Sequence, residues 1–214
     1  MARDAVVVVD MQEYFCRSPH AFMRFMAAIG GAEDHAWYVQ RLAGLVIPNL
    51  IRLTEQARAH GDVVVVTEFG SRTSDGADLP PWARRHNEWA KTLVGEHMYL
   101  PLTDPAARTI TELAPQHGDW VVARNSSGPL ASTDVVPRLR GAGVRRVTVA
   151  GVATDVCVTG WTRELADAGF DVAVPEDACA SPLRRGHESA MAAALVTFGT
   201  VVPTTAELTH EVSA

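Results

Sequence analysis

The segment Ala5-Val6-Val7-Val8-Val9 is apolar without a break and ends on Asp10. A β-branched run with no polar alternate has no face to offer water, so it fits a strand covered on both sides, as in a parallel sheet packed between helices. Comparable runs recur at Asp62–Glu68, Trp120–Arg124, Arg146–Val152, Asp171–Val174 and Thr200–Val202. Between them, Trp37–His60, Thr133–Ala142, Asp155–Ala168 and Arg184–Phe198 carry apolar residues at helical spacing. Gly61, Gly143 and Gly169 stand where such helices would end, a position that favours glycine in a left-handed cap. Strand–helix alternation of this kind predicts an α/β fold with helices on both faces of a parallel sheet. At 214 residues the chain suits one domain spanning 1–214. Two stretches break the rhythm, Gln12–Asp34 and Gly70–Leu100. Both read as long irregular loops, the second offering Trp82, Trp89 and Met98 as a substrate lid or an interface.

Composition narrows the class of function. A formal charge of -6 gives no electrostatic footprint for nucleic acid or an anionic membrane. No stretch approaches the roughly 20 apolar residues of a membrane span, and the opening valine run is too short for a signal-peptide core. Cys16, Cys157 and Cys179 are too few and too scattered for a disulfide framework or a zinc cluster. These features predict a cytoplasmic enzyme acting on a small molecule, with no cofactor.

In an open parallel sheet, ligands bind beyond the carboxyl ends of the strands. The residues there are Asp10, Glu68, Arg124 and the turn Gly151-Val152-Ala153-Thr154-Asp155-Val156-Cys157. Asp10 alone reads equally as a strand-end cap. Cys157 follows a strand and opens a helix, where backbone N–H groups and the helix dipole lower a thiol pKa; a buried structural cysteine is the plain alternative. Cys16 and Cys179 lack that setting and read as structural. Thiol, carboxyl and guanidinium together supply a nucleophile, a proton acceptor and a cation, the parts covalent catalysis requires.

Val8-Val9-Asp10-Met11-Gln12 with Phe15, Gly118-Asp119-Trp120-Val121-Val122-Ala123-Arg124, and Gly151-Val152-Ala153-Thr154-Asp155-Val156-Cys157-Val158 resemble the isochorismatase-like cysteine hydrolases. That superfamily includes nicotinamidases, N-carbamoylsarcosine, biuret and ureidoacrylate amidohydrolases, and isochorismatases. The resemblance implies a three-layer α/β/α sandwich around a six-stranded parallel sheet, an Asp–Lys–Cys triad and a homodimer or homotetramer. Asp10 and Cys157 take the aspartate and cysteine positions, and Arg124 stands where the family has lysine. The resemblance also implies a cis peptide between Val152 and Ala153, aiming the Ala153 and Cys157 N–H groups at a developing oxyanion. It places the pocket wall at Ser127-Gly128-Pro129-Leu130. Gln12, Phe15 and Glu68 near the first two strand ends, and Trp161 one helical turn past Cys157, are the other candidate pocket residues.

Nicotinamidases carry an Asp-x-His near the end of the second strand; Thr67-Glu68-Phe69-Gly70 has no histidine, so no metal is expected. His86, His97 and His117 read as surface or loop residues, and His187-Glu188 as a solvated helix face. The implied activity is cleavage of a C–N bond (amide, ureido or carbamoyl) through a thioester. The alternatives are vinyl-ether hydrolysis of the isochorismatase type, or a silent member that binds without turnover.

Overall fold

The computed structural model describes residues 3–203 together with 205 and 206; residues 1, 2, 204 and 207–214 of the expected domain lie outside the described residues. In chain order the elements are β1 (Arg3–Val9), α1 (Glu13–Cys16), α2 (Ala21–Arg41), α3 (Ile47–His60), β2 (Val63–Phe69), α4 (Pro81–Val94) and β3 (Trp120–Arg124). Then follow α5 (Val135–Gly141), β4 (Val144–Val152), α6 (Thr159–Asp167), β5 (Asp171–Pro175), β6 (Cys179–Ala180), α7 (Arg184–Ser189), α8 (Leu195–Phe198) and β7 (Thr200–Val202). Wider π-type turns at Leu42–Val46, Thr154–Val158 and Ala190–Ala194 join α2 to α3, lead into α6 and join α7 to α8.

The strands pair in the order β3-β2-β1-β4-β5-β7, every pair parallel, with the two-residue β6 added against β4. Six strands thus form the continuous sheet the sequence predicts, and the short seventh was not marked by any apolar run. The valines of β1 are buried on both faces, as are all residues of β2. Strand order runs one way from β1 to β3, then reverses from β4 onward. With right-handed crossovers that reversal puts α3 on one face, against β1 and β2, and α5 and α6 on the other, against β4 and β5. The result is the three-layer α/β/α sandwich. Its topological switch point lies between β1 and β4, where a ligand crevice is expected.

Two expectations need correction. Gln12–Asp34 is not an irregular loop: it holds α1 and the first half of α2, which is kinked at Gly31 where φ is 82°. The helical signal was present, because Phe22, Phe25, Met26 and Ile29 recur at i, i+3, i+4 and i+7. Gly70–Leu100 likewise contains α4, which begins at Pro81, the first helical position that proline tolerates. Among the described residues no helix is long and apolar enough to cross a membrane.

Candidate active site

Asp10 ends β1 with φ of 50°, a left-handed conformation that short polar residues tolerate better than other side chains. The turn swings the carboxyl over the sheet end, where it is fully buried. Its backbone N–H donates to Thr67 Oγ1 at 3.1 Å, and the Thr67 hydroxyl donates to Asp10 Oδ1 at 2.6 Å. The second carboxyl oxygen accepts from Arg124 Nη2. Arg124, at the end of β3, is also wholly buried; its Nη1 donates to the Ser126 carbonyl. The guanidinium lies between two rings, 5.4 Å from the Phe69 centroid and 5.8 Å from that of Trp161. β3 and β1 are not neighbours, since β2 runs between them. Thr67 on β2 completes the connection, and a threonine in a strand carried no sequence signal for it.

Cys157 lies 7% exposed in the first turn after β4. The Asp10 carboxyl and the Arg124 guanidinium both lie close enough to the thiol to bear on its ionisation. The Val152–Ala153 peptide preceding the turn is cis. The Ala153 carbonyl accepts from the N–H groups of Val156 and Val158, both at 3.1 Å, and so closes the turn that carries the thiol. Gly186 packs on the Asp155 side chain beside it. Asp155 also accepts from the Ser181 hydroxyl at 2.5 Å.

The electrostatics reverse one expectation. The helix start was expected to lower the thiol pKa, yet burial pushes Cys157 up to about 12, with Arg124 pulling the other way. Desolvation of a buried thiolate outweighs the dipole of one turn. Burial also raises the Asp10 carboxyl above its ordinary range, against the opposing pull of Arg124 and the Thr67 hydroxyl. A raised carboxyl is a stronger base, and it sits against a thiol that rests protonated. This arrangement can move a proton from sulfur to carboxyl when an electrophile arrives, with the guanidinium holding the charge balance.

Asp10, Cys157, Val152 and Ala153 open onto a cavity of about 210 Å³, walled elsewhere by side chains of α1, α2, β2 and α4. Of the candidate pocket residues, Phe15 lines it and the other three do not. Gln12 is buried, its amide donating to the Phe69 carbonyl at 3.0 Å and accepting from the Phe69 N–H at 2.9 Å. It therefore ties β1 to β2. Glu68 accepts from Arg108 Nη1 at 2.9 Å and from the Thr109 N–H at 3.1 Å, which anchors the approach to β3. Trp161 packs on the Arg124 guanidinium.

Ser127–Leu130 also stands away from the cavity; Gly128 lies against Gly160 and Glu164, and the Leu130 N–H donates to Glu164 at 2.6 Å. Trp82, Trp89 and Met98 do line the cavity, the two tryptophans from α4 and not from a loop. The residues missed from sequence are Phe22, Phe25, Met26 and Ile29 on α2, together with Phe69, Tyr99 and Leu183.

His86 and His117 are both exposed, and His86 also reaches the cavity wall. His187 is not on a solvated face: it is 2% exposed, 5.6 Å from the Trp37 ring, with Nδ1 hydrogen-bonded to Thr154 Oγ1 at 2.9 Å. Its neighbour Glu188 is exposed, as expected. Cys16, Cys157 and Cys179 are all free thiols. Among the described residues no group of three or more His, Cys, Asp or Glu could hold a metal ion.

The family model described as the isochorismatase domain matches residues 4–207. The ureidoacrylate amidohydrolase RutB of Variovorax paradoxus is 28% identical over 182 residues, covering 81% of this chain and 67% of that protein. RutB of Pseudomonas syringae pv. syringae is 28% identical over 166 residues, or 75% and 63% of the two chains. The chain thus spans about two thirds of the length of these relatives. A cysteine hydrolase structure from Pseudomonas syringae pv. phaseolicola superimposes with a TM-score of 0.75 at 26% identity, covering 96% of this chain and 90% of that one. The nicotinamidase PncA of Bacillus subtilis shares the fold with a TM-score of 0.67 at 19% identity, over 94% and 98% of the two chains.

Proposed function

The chain belongs to the isochorismatase family, and from that premise we propose that it is a cysteine-dependent hydrolase of a C–N bond (amide, ureido or carbamoyl) in a small molecule. The observation that carries the reading is one buried thiol on the wall of a cavity that Asp10 also lines, with Asp10 held by the buried Arg124. The names of the relatives, amidohydrolase and nicotinamidase, support the bond type.

In the proposed reaction Asp10 takes the Cys157 proton as sulfur attacks the carbonyl carbon. The Ala153 and Cys157 N–H groups receive the developing oxyanion, a type of contact worth on the order of 100-fold in rate per donor. Protonated Asp10 then gives its proton to the departing nitrogen, leaving a thioester on Cys157. Water attacks the thioester, passes a proton through Asp10 back to sulfur, and releases the acid. Arg124 moves no proton, because a guanidinium stays protonated throughout; it opposes the burial that raises the Asp10 carboxyl and orients it.

The test is Cys157→Ser, assayed by ammonia or amine release across a panel of small amides, ureides and carbamoyl compounds. The expected result is loss of turnover and loss of the thioester adduct seen by intact mass in the parent. A serine variant retaining the parent's rate would overturn the covalent scheme.

A further inference from the structure

Beyond its reactive groups, the cavity wall is made of carbon. Phe15, Phe69 and Tyr99 form one ring cluster, with centroids 6.3 Å apart for Phe15–Tyr99 and 5.1 Å for Phe69–Tyr99, and Trp82 stacks on Phe69 at 5.9 Å. A second group comes from α2 and α4, where Phe25 meets the Trp89 ring edge-on at 5.0 Å with Met26 and Ile29 alongside. Among the described residues, no lysine or arginine lines this cavity. Its ionisable groups, apart from the thiol and the tyrosine hydroxyls, are Asp10, Asp155 and His86. Arg124 is sealed behind the wall with its two terminal nitrogens given to Asp10 and the Ser126 carbonyl. Burial, followed by the nearby Arg85, holds His86 below its usual range.

A ligand carboxylate in this cavity would lose its water, face two carboxyl groups and meet neither a lysine nor an arginine. A neutral ring would meet mainly aromatic and aliphatic carbon. Size bears on the choice as well: an apolar cavity of about 150 Å³ is enough for benzene, and this one, at about 210 Å³, adds room for one planar amide.

We propose that the site selects a neutral, compact hydrocarbon group, the size of a single ring, bearing the scissile amide or carbamoyl, and rejects molecules carrying a carboxylate. The proposal rests on the C–N hydrolase reading for the bond that is cut, but on the cavity wall alone for what is bound. Ureidoacrylate, the compound in the names of the amidohydrolases matched above, is a carboxylate and falls in the rejected class.

Binding is measured by calorimetry on the full chain carrying Cys157→Ala, with benzamide, para-nitrobenzamide and para-carboxybenzamide. The nitro and carboxylate compounds have nearly the same shape and differ in charge. Benzamide is expected to bind, and the nitro compound to bind at least about tenfold more tightly than the carboxylate. Met26→Lys, or Ile29→Lys one turn on, places an ammonium on the wall and is expected to narrow or reverse that preference. Equal or tighter binding of the carboxylate overturns the proposal, as does failure of benzamide or of both para-substituted amides to bind. Ammonia release by the parent protein is scored on the same compounds. Binding without release counts against the hydrolase reading alone, while release with no charge preference counts against the substrate class alone.

Discussion

Replacing Arg124 by Met isolates what the guanidinium does for a buried carboxyl. The variant keeps an apolar chain between the Phe69 and Trp161 rings but removes the cation from Asp10, whose remaining protein partners include Thr67 and the Cys157 thiol. Breaking a buried pair by deleting one member costs about 3–5 kcal/mol. The carboxyl can escape part of that cost by keeping its proton, so the loss must depend on pH. Without the guanidinium, burial holds the folded-state pKa of Asp10 still further above that of the unfolded chain. A raised carboxyl pKa gives stability that is fully present below the unfolded value, about 3.9, and lost as pH rises through the folded value. The parent, with Arg124 opposing burial, loses less over the same range. The stability gap between the two proteins should therefore be smallest near pH 4 and widen as pH rises, by at most about 1.36 kcal/mol per pH unit. Urea unfolding of both proteins at several pH values measures it directly. Arg124→Lys keeps a cation but not the fork that spans Asp10 and the Ser126 carbonyl, so its loss should be nearer 1–2 kcal/mol and nearly flat with pH. A gap for the methionine variant that is constant, or that narrows as pH rises, would refute the reasoning.

Two further predictions concern the scaffold. Burial, then Arg41, pushes His187 from 6.5 down to about 4, so its contribution is present above about pH 6.5 and lost as pH falls toward 4, by about 3 kcal/mol in all. His187→Gln should flatten that part of the urea-stability profile, and an unchanged acid slope would sink the assignment. Gly151 has φ of 127°, and an added Cβ would lie 2.2 Å from the Val9 carbonyl oxygen. Because that neighbour is backbone in the paired strand, Gly151→Ala should cost on the order of 3 kcal/mol or more. Gly141→Ala in α5, where nothing lies within 4 Å, should change stability by no more than about 1 kcal/mol. Similar melting temperatures for the two alanine variants would contradict the steric argument.

The sheet was legible because its central strands are apolar on both faces and have no other way to be buried. Trp120–Arg124 is read from sequence and found as β3 with the same bounds. The helices around the cavity were harder to see. The apolar stripe of α2 lines the cavity where it joins the core, and Gly30-Gly31 interrupts it. Pro80-Pro81 suggested a loop where Pro81 in fact opens α4. At the site, Asp10, Arg124 and Cys157 stood out because strand carboxyl ends face the crevice of an open sheet. Thr67 did not, because a strand threonine is commonplace until its partner is known. The thiol pKa was misjudged for a related reason: the helix-dipole argument needs only sequence position, whereas the opposing desolvation depends on packing from distant segments.

The arginine and the carbon-lined cavity answer the same constraint. A carboxyl as buried as Asp10 needs a cation within contact, and a cation on the wall would attract anions and water to the thiol. A guanidinium resolves this because its planar faces accept aromatic neighbours and its fork uses two separate acceptors. Arg124 does both, lying between Phe69 and Trp161 while donating to Asp10 and the Ser126 carbonyl, at 0% exposure. An ammonium on a flexible stem is more strongly hydrated and would draw water toward the site. With the cation sealed away, Asp10 is left as the carboxyl that meets the thiol from inside the cavity. In the proposed reaction it must then accept the sulfur proton and deliver it to the leaving nitrogen. The proton path and the preference for uncharged substrates therefore rest on one structural choice, and moving the cation onto the wall, as in Met26→Lys, should disturb both.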